Sequence, residues 1–234
     1  MIKSIVITGA SSGLGKELAK IALKNKCKVV NVANEKCDLK GVVNILCDLT
    51  DEKQIDKAAN EIIKKYSKFD VLVNNAGVAS EQTQNAIKYK EIERVMRVNA
   101  FAPIYLTSKL LDLIKANEAD IVNVGSTVIL GGYSEMSVYG ASKWANRGVS
   151  IHQRLELINT KCRVVHFNPS AMATDIWDRV NGTKAEDLRK QKWADPADMA
   201  AFLWDIINLP KSLEVVEVNV KNQKKLTSTL VSVL

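Results

Sequence analysis

The sequence predicts a doubly wound α/β fold, a single domain on a seven-stranded parallel sheet with helices on both faces. Three observations predict it. Short β-branched runs alternate with longer amphipathic segments along the chain, and parallel neighbours require such crossovers. The runs are apolar, as strands covered on both faces are. A glycine-rich turn joins the first run to the first amphipathic segment. No internal repeat, low-complexity tract or Pro/Gly/Ser linker divides the 234 residues, so one domain is expected over 1–234.

Taken in order, Ile2–Ile7 reads as a strand and Gly13–Asn25 as a helix. Lys28–Val32 and Val42–Leu46 follow as strands, and Asp51–Tyr66 as a helix with Thr50 placed to cap it. Asp70–Val73 is a strand. The next helical stretch is expected to break near Pro103 and to end about Ala116. Ile121–Val124 is a strand, Val138–Asn159 a helix and Arg163–Phe167 a strand. Pro196–Asn208 is a helix with Asp195 as cap and Pro196 in its first turn, and Glu214–Val220 is the last strand. The irregular span Thr174–Ala194 follows a strand's C-terminal end, where ligand crevices of such folds lie, and is expected to be a mobile substrate lid.

The turn reads Thr8-Gly9-Ala10-Ser11-Ser12-Gly13-Leu14-Gly15. Glycines between strand and helix allow positive φ and close backbone approach. The helix N-terminus then offers free N–H groups to a pyrophosphate. In this setting the turn points to dinucleotide binding on a Rossmann-type sheet. An acid at the end of the second strand would bond both ribose hydroxyls and reject a 2′-phosphate. Ala33 and Asn34 stand there instead, which argues against strict NAD use. Lys36 either pairs with a 2′-phosphate or is a free surface amine, so the cofactor leans to NADP over NAD.

Tyr139-Gly140-Ala141-Ser142-Lys143 places a phenol and an ammonium on one helix face, with Ser126 upstream. A phenol of pKa about 10 is a poor acid or base at neutral pH until a cation favours its phenolate. Lowering it by roughly 2–3 units requires about 3–4 kcal/mol, which an ammonium in a dry site and a second positive charge could supply. The pattern points to acid/base work on a carbonyl or an alcohol.

With these motifs in place the chain resembles the short-chain dehydrogenase/reductase family from Ile5 to about Asp175. Besides the turn and Tyr-x-x-x-Lys, the family's Asn-Asn-Ala-Gly stands at Asn74–Gly77 and its aspartate after the third strand at Asp48, followed by Leu49. Its active-site asparagine is Asn99 and its serine after the fifth strand is Ser126. The resemblance implies hydride transfer between nicotinamide and a small carbonyl or secondary alcohol. Tyr139 would be the acid/base. Lys143 would lower its pKa and hold the nicotinamide ribose, Ser126 would bond the substrate oxygen, and Asn99 would hold a water linking Lys143 to solvent. The turn, with Gly9, Ser11, Ser12, Gly13, Leu14 and Gly15, would take the pyrophosphate. Asp48 and Leu49 would meet the adenine; Asn75, Ala76 and Gly77, with Asn34, its ribose; Pro169 and Thr174, the nicotinamide. Two departures stand out: Ser170 replaces the glycine of the family's Pro-Gly, and Ala102 the glycine three positions after the asparagine. A dinucleotide-binding regulator or scaffold without turnover is the alternative, against which the intact Asn99/Ser126/Tyr139/Lys143 set argues. The family's dimers and tetramers imply a homo-oligomer through the long central helices, to which the tail Leu226–Leu234 could add.

Composition excludes other classes. Lysine and arginine exceed acids, 33 to 26, for a net charge of +7, but the lysines are dispersed and no basic stripe with interleaved aromatics suggests nucleic acid. No apolar run reaches the about 18 residues of a membrane span. Cys27, Cys37, Cys47 and Cys162 form no metal-ligand spacing and read as reduced thiols of a cytoplasmic protein; no metal is expected. His152 is expected at the surface or a subunit contact, and His166 as a hydrogen-bonded core imidazole. Trp144 is expected to face away from the chemistry, and Trp177 or Trp193 to wall the substrate.

Overall fold

The computed structural model describes residues 2–222; the tail Leu226–Leu234 lies outside them. The chain runs β1 (Ser4–Thr8), α1 (Gly13–Lys24), β2 (Lys28–Ala33), β3 (Val42–Leu46), α2 (Glu52–Lys65), β4 (Val71–Asn74), α3 (Tyr89–Met96), a π-helical turn (Arg97–Phe101) and α4 (Ala102–Asn117). It continues through β5 (Asp120–Val124), α5 (Ser137–Glu156), β6 (Val164–Pro169), α6 (Ile176–Asn181), α7 (Ala185–Lys190), α8 (Pro196–Ile207) and β7 (Glu217–Val220). All seven strands pair in parallel in the order β3-β2-β1-β4-β5-β6-β7. This is the expected doubly wound, Rossmann-type single domain.

Side-chain alternation divides the core between the two faces of the sheet. Ile5 and Ile7 of β1, with Val71, Val73, Val122 and Phe167, pack with α1 and α8. Val6, between them in sequence, joins Val30, Leu72 and Ile121 against α2 and α4. Because β2 and β4 flank β1, the sheet's winding reverses beside it, and the C-terminal ends of these strands open a crevice.

Several boundaries differ from expectation for local reasons. Asp51, not Thr50, caps α2: its carboxylate accepts from the N–H groups of Lys53 and Gln54, while Thr50 Oγ donates to Asp48. Asp195 caps α8 from in front of Pro196, as the sequence suggests. The last strand is shorter, starting at Glu217. The helix does not break at Pro103. It continues from α3 to α4 through the π turn, in which the Ala102 N–H reaches back to the Arg97 carbonyl. Pro103 has no N–H with which to claim the carbonyl four residues before it, that of Asn99. That freed oxygen accepts from Asn146 Nδ2 of α5 at 3.1 Å. The span between β6 and α8 is not irregular throughout, since it contains α6 and α7. His166 is a core imidazole as expected, its Nδ1 3.0 Å from Ser150 Oγ.

Candidate active site

A cleft of about 1940 Å³ runs along the C-terminal ends of the strands. Its wall passes from Ala33, Asn34, Asp48 and Leu49 along the turn residues Gly9, Ser11, Ser12, Gly13 and Leu14. It continues through Asn75, Ala76 and Gly77 to Ser126, Tyr139, Lys143, Pro169 and Thr174. Sixteen of the eighteen residues singled out from sequence thus line one cavity; Gly15 and Asn99 lie behind its wall.

The turn's geometry follows from its residues. Gly9 and Gly13 adopt φ of +71° and +53°, where an L side chain is strained. Gly15 serves packing: a Cβ there would overlap Gly9 O and Asn75 Nδ2. Ser12, the N-cap of α1, makes no side-chain cap bond, and the first turn holds no acid, leaving the positive end of the helix for an anion. Thr8 Oγ1 accepts from the Asn75 and Ala76 N–H groups at 3.0 and 2.9 Å, tying the Asn-Asn-Ala-Gly segment to the turn. Asn31 Oδ1 accepts from the Ala10 N–H at 2.8 Å. An elongated cleft with a glycine-rich helix N-terminus at its middle fits a dinucleotide.

At the other end, β5 delivers Ser126 and α5 delivers Tyr139 and Lys143. The Ser126 N–H donates to Asn168 Oδ1 at 3.0 Å, and Gly125 is required beside it because a Cβ would collide with that amide. Lys143 is buried at 4% exposure; its Nζ donates to Val124 O at 2.9 Å and lies 5.7 Å from the Tyr139 ring centroid. Burial drives its pKa down to about 8. Burial raises the Tyr139 phenol above its ordinary value, with the Ser126 hydroxyl pulling it partly back. In the structure described, desolvation of the ring outweighs the lowering expected of Lys143. The ammonium gives one of its three N–H groups to Val124 O and keeps the others.

Asn99 clamps the site from behind. Its Oδ1 accepts from the Val78 N–H, and its Nδ2 donates to Val78 O and to Ser142 Oγ, each at 2.9 Å. Trp177 and Trp193 both line the cavity and meet edge to face at 5.5 Å. Trp144 is half exposed on α5, stacked by Arg147 rather than facing the cleft. Sequence reasoning missed Thr8, Asn31, Asn146 and Asn168. The three asparagines, polar residues within apolar runs or on a buried helix face, were the available signal. Among the described residues no cluster of potential metal ligands occurs, all four cysteines are buried free thiols, and no helix is long and apolar enough to cross a membrane.

Residues 3–185 match the short chain dehydrogenase family. An NADPH-dependent 3-dehydrocapnine reductase of Ornithobacterium rhinotracheale is 32% identical over 189 residues, covering 74% of this chain and 67% of the relative. An NADP-dependent 3-hydroxy acid dehydrogenase of Shigella flexneri is 25% identical, covering 90% of this chain and 91% of its own. Among solved structures, a 3-ketoacyl-(acyl-carrier-protein) reductase of Brucella melitensis in complex with NADH superposes with a TM-score of 0.82 at 27% identity, covering 93% of this chain and 95% of its own. The closed form of a serine dehydrogenase with NADP+ superposes at 0.86 and 20% identity, covering 97% and 98%, a likeness of fold. Over more than half its length, then, this chain belongs to the short-chain dehydrogenase/reductase family of oxidoreductases.

Proposed function

We propose that the chain is an NAD(P)(H)-dependent oxidoreductase, with NADP(H) favoured, that interconverts a small carbonyl compound and its secondary alcohol in the cytoplasm. The observation that carries this is the meeting of Ser126, Tyr139 and Lys143 at one end of a cleft whose middle is the glycine turn. The α1 N-terminus and the turn hold the pyrophosphate, Asp48 and Leu49 face the adenine, and Asn34 and Asn75–Gly77 line the path of its ribose. Pro169 and Thr174 would meet the nicotinamide. The bound nicotinamide supplies the hydride acceptor or donor.

The chain's own residues handle the proton and the orientation. Ser126 Oγ donates to the substrate oxygen and holds it beside the Tyr139 hydroxyl. A phenol raised by burial remains protonated at neutral pH, which suits it to give its proton to a carbonyl oxygen that gains negative character. Lys143, still largely an ammonium at pH 7 with a pKa near 8, stabilises the phenolate left behind. The Asn99 carbonyl, with one of its two lone pairs given to Asn146, keeps the other for a water leading from Lys143 outward. Residues 174–194 act as the substrate lid, and the Trp177–Trp193 pair forms its apolar wall. The test is Tyr139→Phe. Turnover on a panel of carbonyl substrates is expected to fall by at least about a hundredfold, the scale of one general acid, with the Kd for reduced cofactor unchanged. A variant that keeps full turnover removes the assignment.

A further inference from the structure

The adenosine end of the cleft carries an ion pair that the chemistry above leaves unused. Arg179 of α6 donates through Nη2 to both carboxylate oxygens of Glu35, at 3.0 and 3.1 Å. Glu35 lies just beyond β2, next to Asn34, and Arg179 shares the cleft wall with Ala33 and Asn34. Two residues on, Asn181 Nδ2 donates to Glu81 Oε2 at 2.8 Å. One short helix is thereby tied to the segment after β2 on one bank and to the segment after β4 on the other. Lys16 and Lys36, cations flanking the β2 end, do not line the cleft wall, whereas Arg179 does.

Resting on the dinucleotide reading of the cleft, we propose that Arg179 is the residue that recognises a 2′-phosphate on the adenosine ribose, supplied from the segment over the cleft rather than from β2. Both members of the Arg179–Glu35 pair are more than half exposed, 59% and 51%, and such pairs contribute little. A phosphate monoester offers more charge and three acceptor oxygens in the geometry that a guanidinium matches two at a time. Exchange of Glu35 for the phosphate is thus favoured. Because Arg179 sits on α6, the choice of cofactor and the seating of that helix become one event. With NADH, Arg179 stays on Glu35 and gains nothing.

The experiment titrates NADPH and NADH into the full chain, read by energy transfer from protein tryptophan to reduced nicotinamide, with circular dichroism to verify folding. Arg179→Ala is expected to raise the Kd for NADPH about tenfold or more, the scale of a charged hydrogen bond, and to leave that for NADH within about twofold. Glu35→Gln releases the guanidinium and is expected to tighten NADPH but not NADH. Lys36→Ala is expected to leave the ratio of the two unchanged. The proposal is overturned if Arg179→Ala moves both cofactors alike or neither, if Lys36→Ala abolishes the discrimination, or if the wild type prefers NADH. Wild-type protein that binds neither cofactor overturns the reading of the cleft itself, an outcome distinct from these.

Discussion

Lys143 shows how a single buried group ties chemistry to stability. Its ammonium has a pKa of about 8 in the fold against 10.5 when free, through burial alone. Below pH 8 folded and unfolded chains both hold the proton, and the full penalty of burying the charge is present. Between pH 8 and 10.5 only the unfolded chain holds it, so stability rises with pH across that window. The rise is at most about 3 kcal/mol, at 1.36 kcal/mol per pKa unit. Lys143→Met removes it. Urea midpoints at pH 7.5 and 10 are therefore expected to show the wild type gaining on the variant as pH rises, and parallel curves would contradict the buried-ammonium account. At this scale the sequence disclosed Ser126, Tyr139 and Lys143, because spacing on one helix and a motif order are local. It could not disclose that Lys143 Nζ bonds Val124 O, or that Thr8 and Asn168 hold Asn75 and Ser126. Those contacts join residues distant in the chain.

At the scale of elements, the strand–turn–helix at the start of the chain was legible from glycine spacing, but the glycines differ in purpose. Gly13 and Gly9 satisfy a backbone conformation, whereas Gly15 has an ordinary φ and is fixed by what a Cβ would strike: the Gly9 carbonyl and the Asn75 amide. The first is backbone and the second is held by the Thr8 and Gly9 carbonyls, so α1 would have to withdraw from β1 and β4. Gly182, in contrast, ends α6 at φ +76° with open space around it, and an alanine there meets only the left-handed penalty of about 1–2 kcal/mol. Thermal unfolding is expected to rank Gly15→Ala well below Gly182→Ala in Tm, with Gly15→Ala also weakening dinucleotide binding. Equal Tm values would refute the steric account. The π turn was less legible. Pro103 marked a disturbance in the sequence, and a break was the natural expectation. That the helix instead continues, handing the Asn99 carbonyl to Asn146, depends on α5 lying alongside to receive it.

For the whole molecule, apolar surface that the domain does not cover bears on assembly. On α5, Trp144, Ile151 and Leu155 are exposed at spacings that place them along one stripe, and Ile158 follows just past the helix end; Leu155 and Ile158 are 58% and 69% accessible. The adjoining π turn and start of α4 add Phe101 and Ile104. These side chains do not serve the core, which fills both faces of the sheet without them. A lone exposed leucine needs no explanation, but a row of large apolar groups along one helix marks a contact surface. The two long helices carry the stripe on their outer side and Asn99, Ser142 and Lys143 on their inner side. Association there would brace the elements that position Tyr139 and Lys143 without entering the cleft. Sedimentation is accordingly expected to give a dimer or tetramer. Leu155→Asp, which places a charge in the middle of the stripe at no cost to the core, is expected to shift the population to smaller species while the far-ultraviolet circular dichroism stays unchanged. A wild-type chain that sediments as a monomer at micromolar concentration would leave the stripe without this purpose.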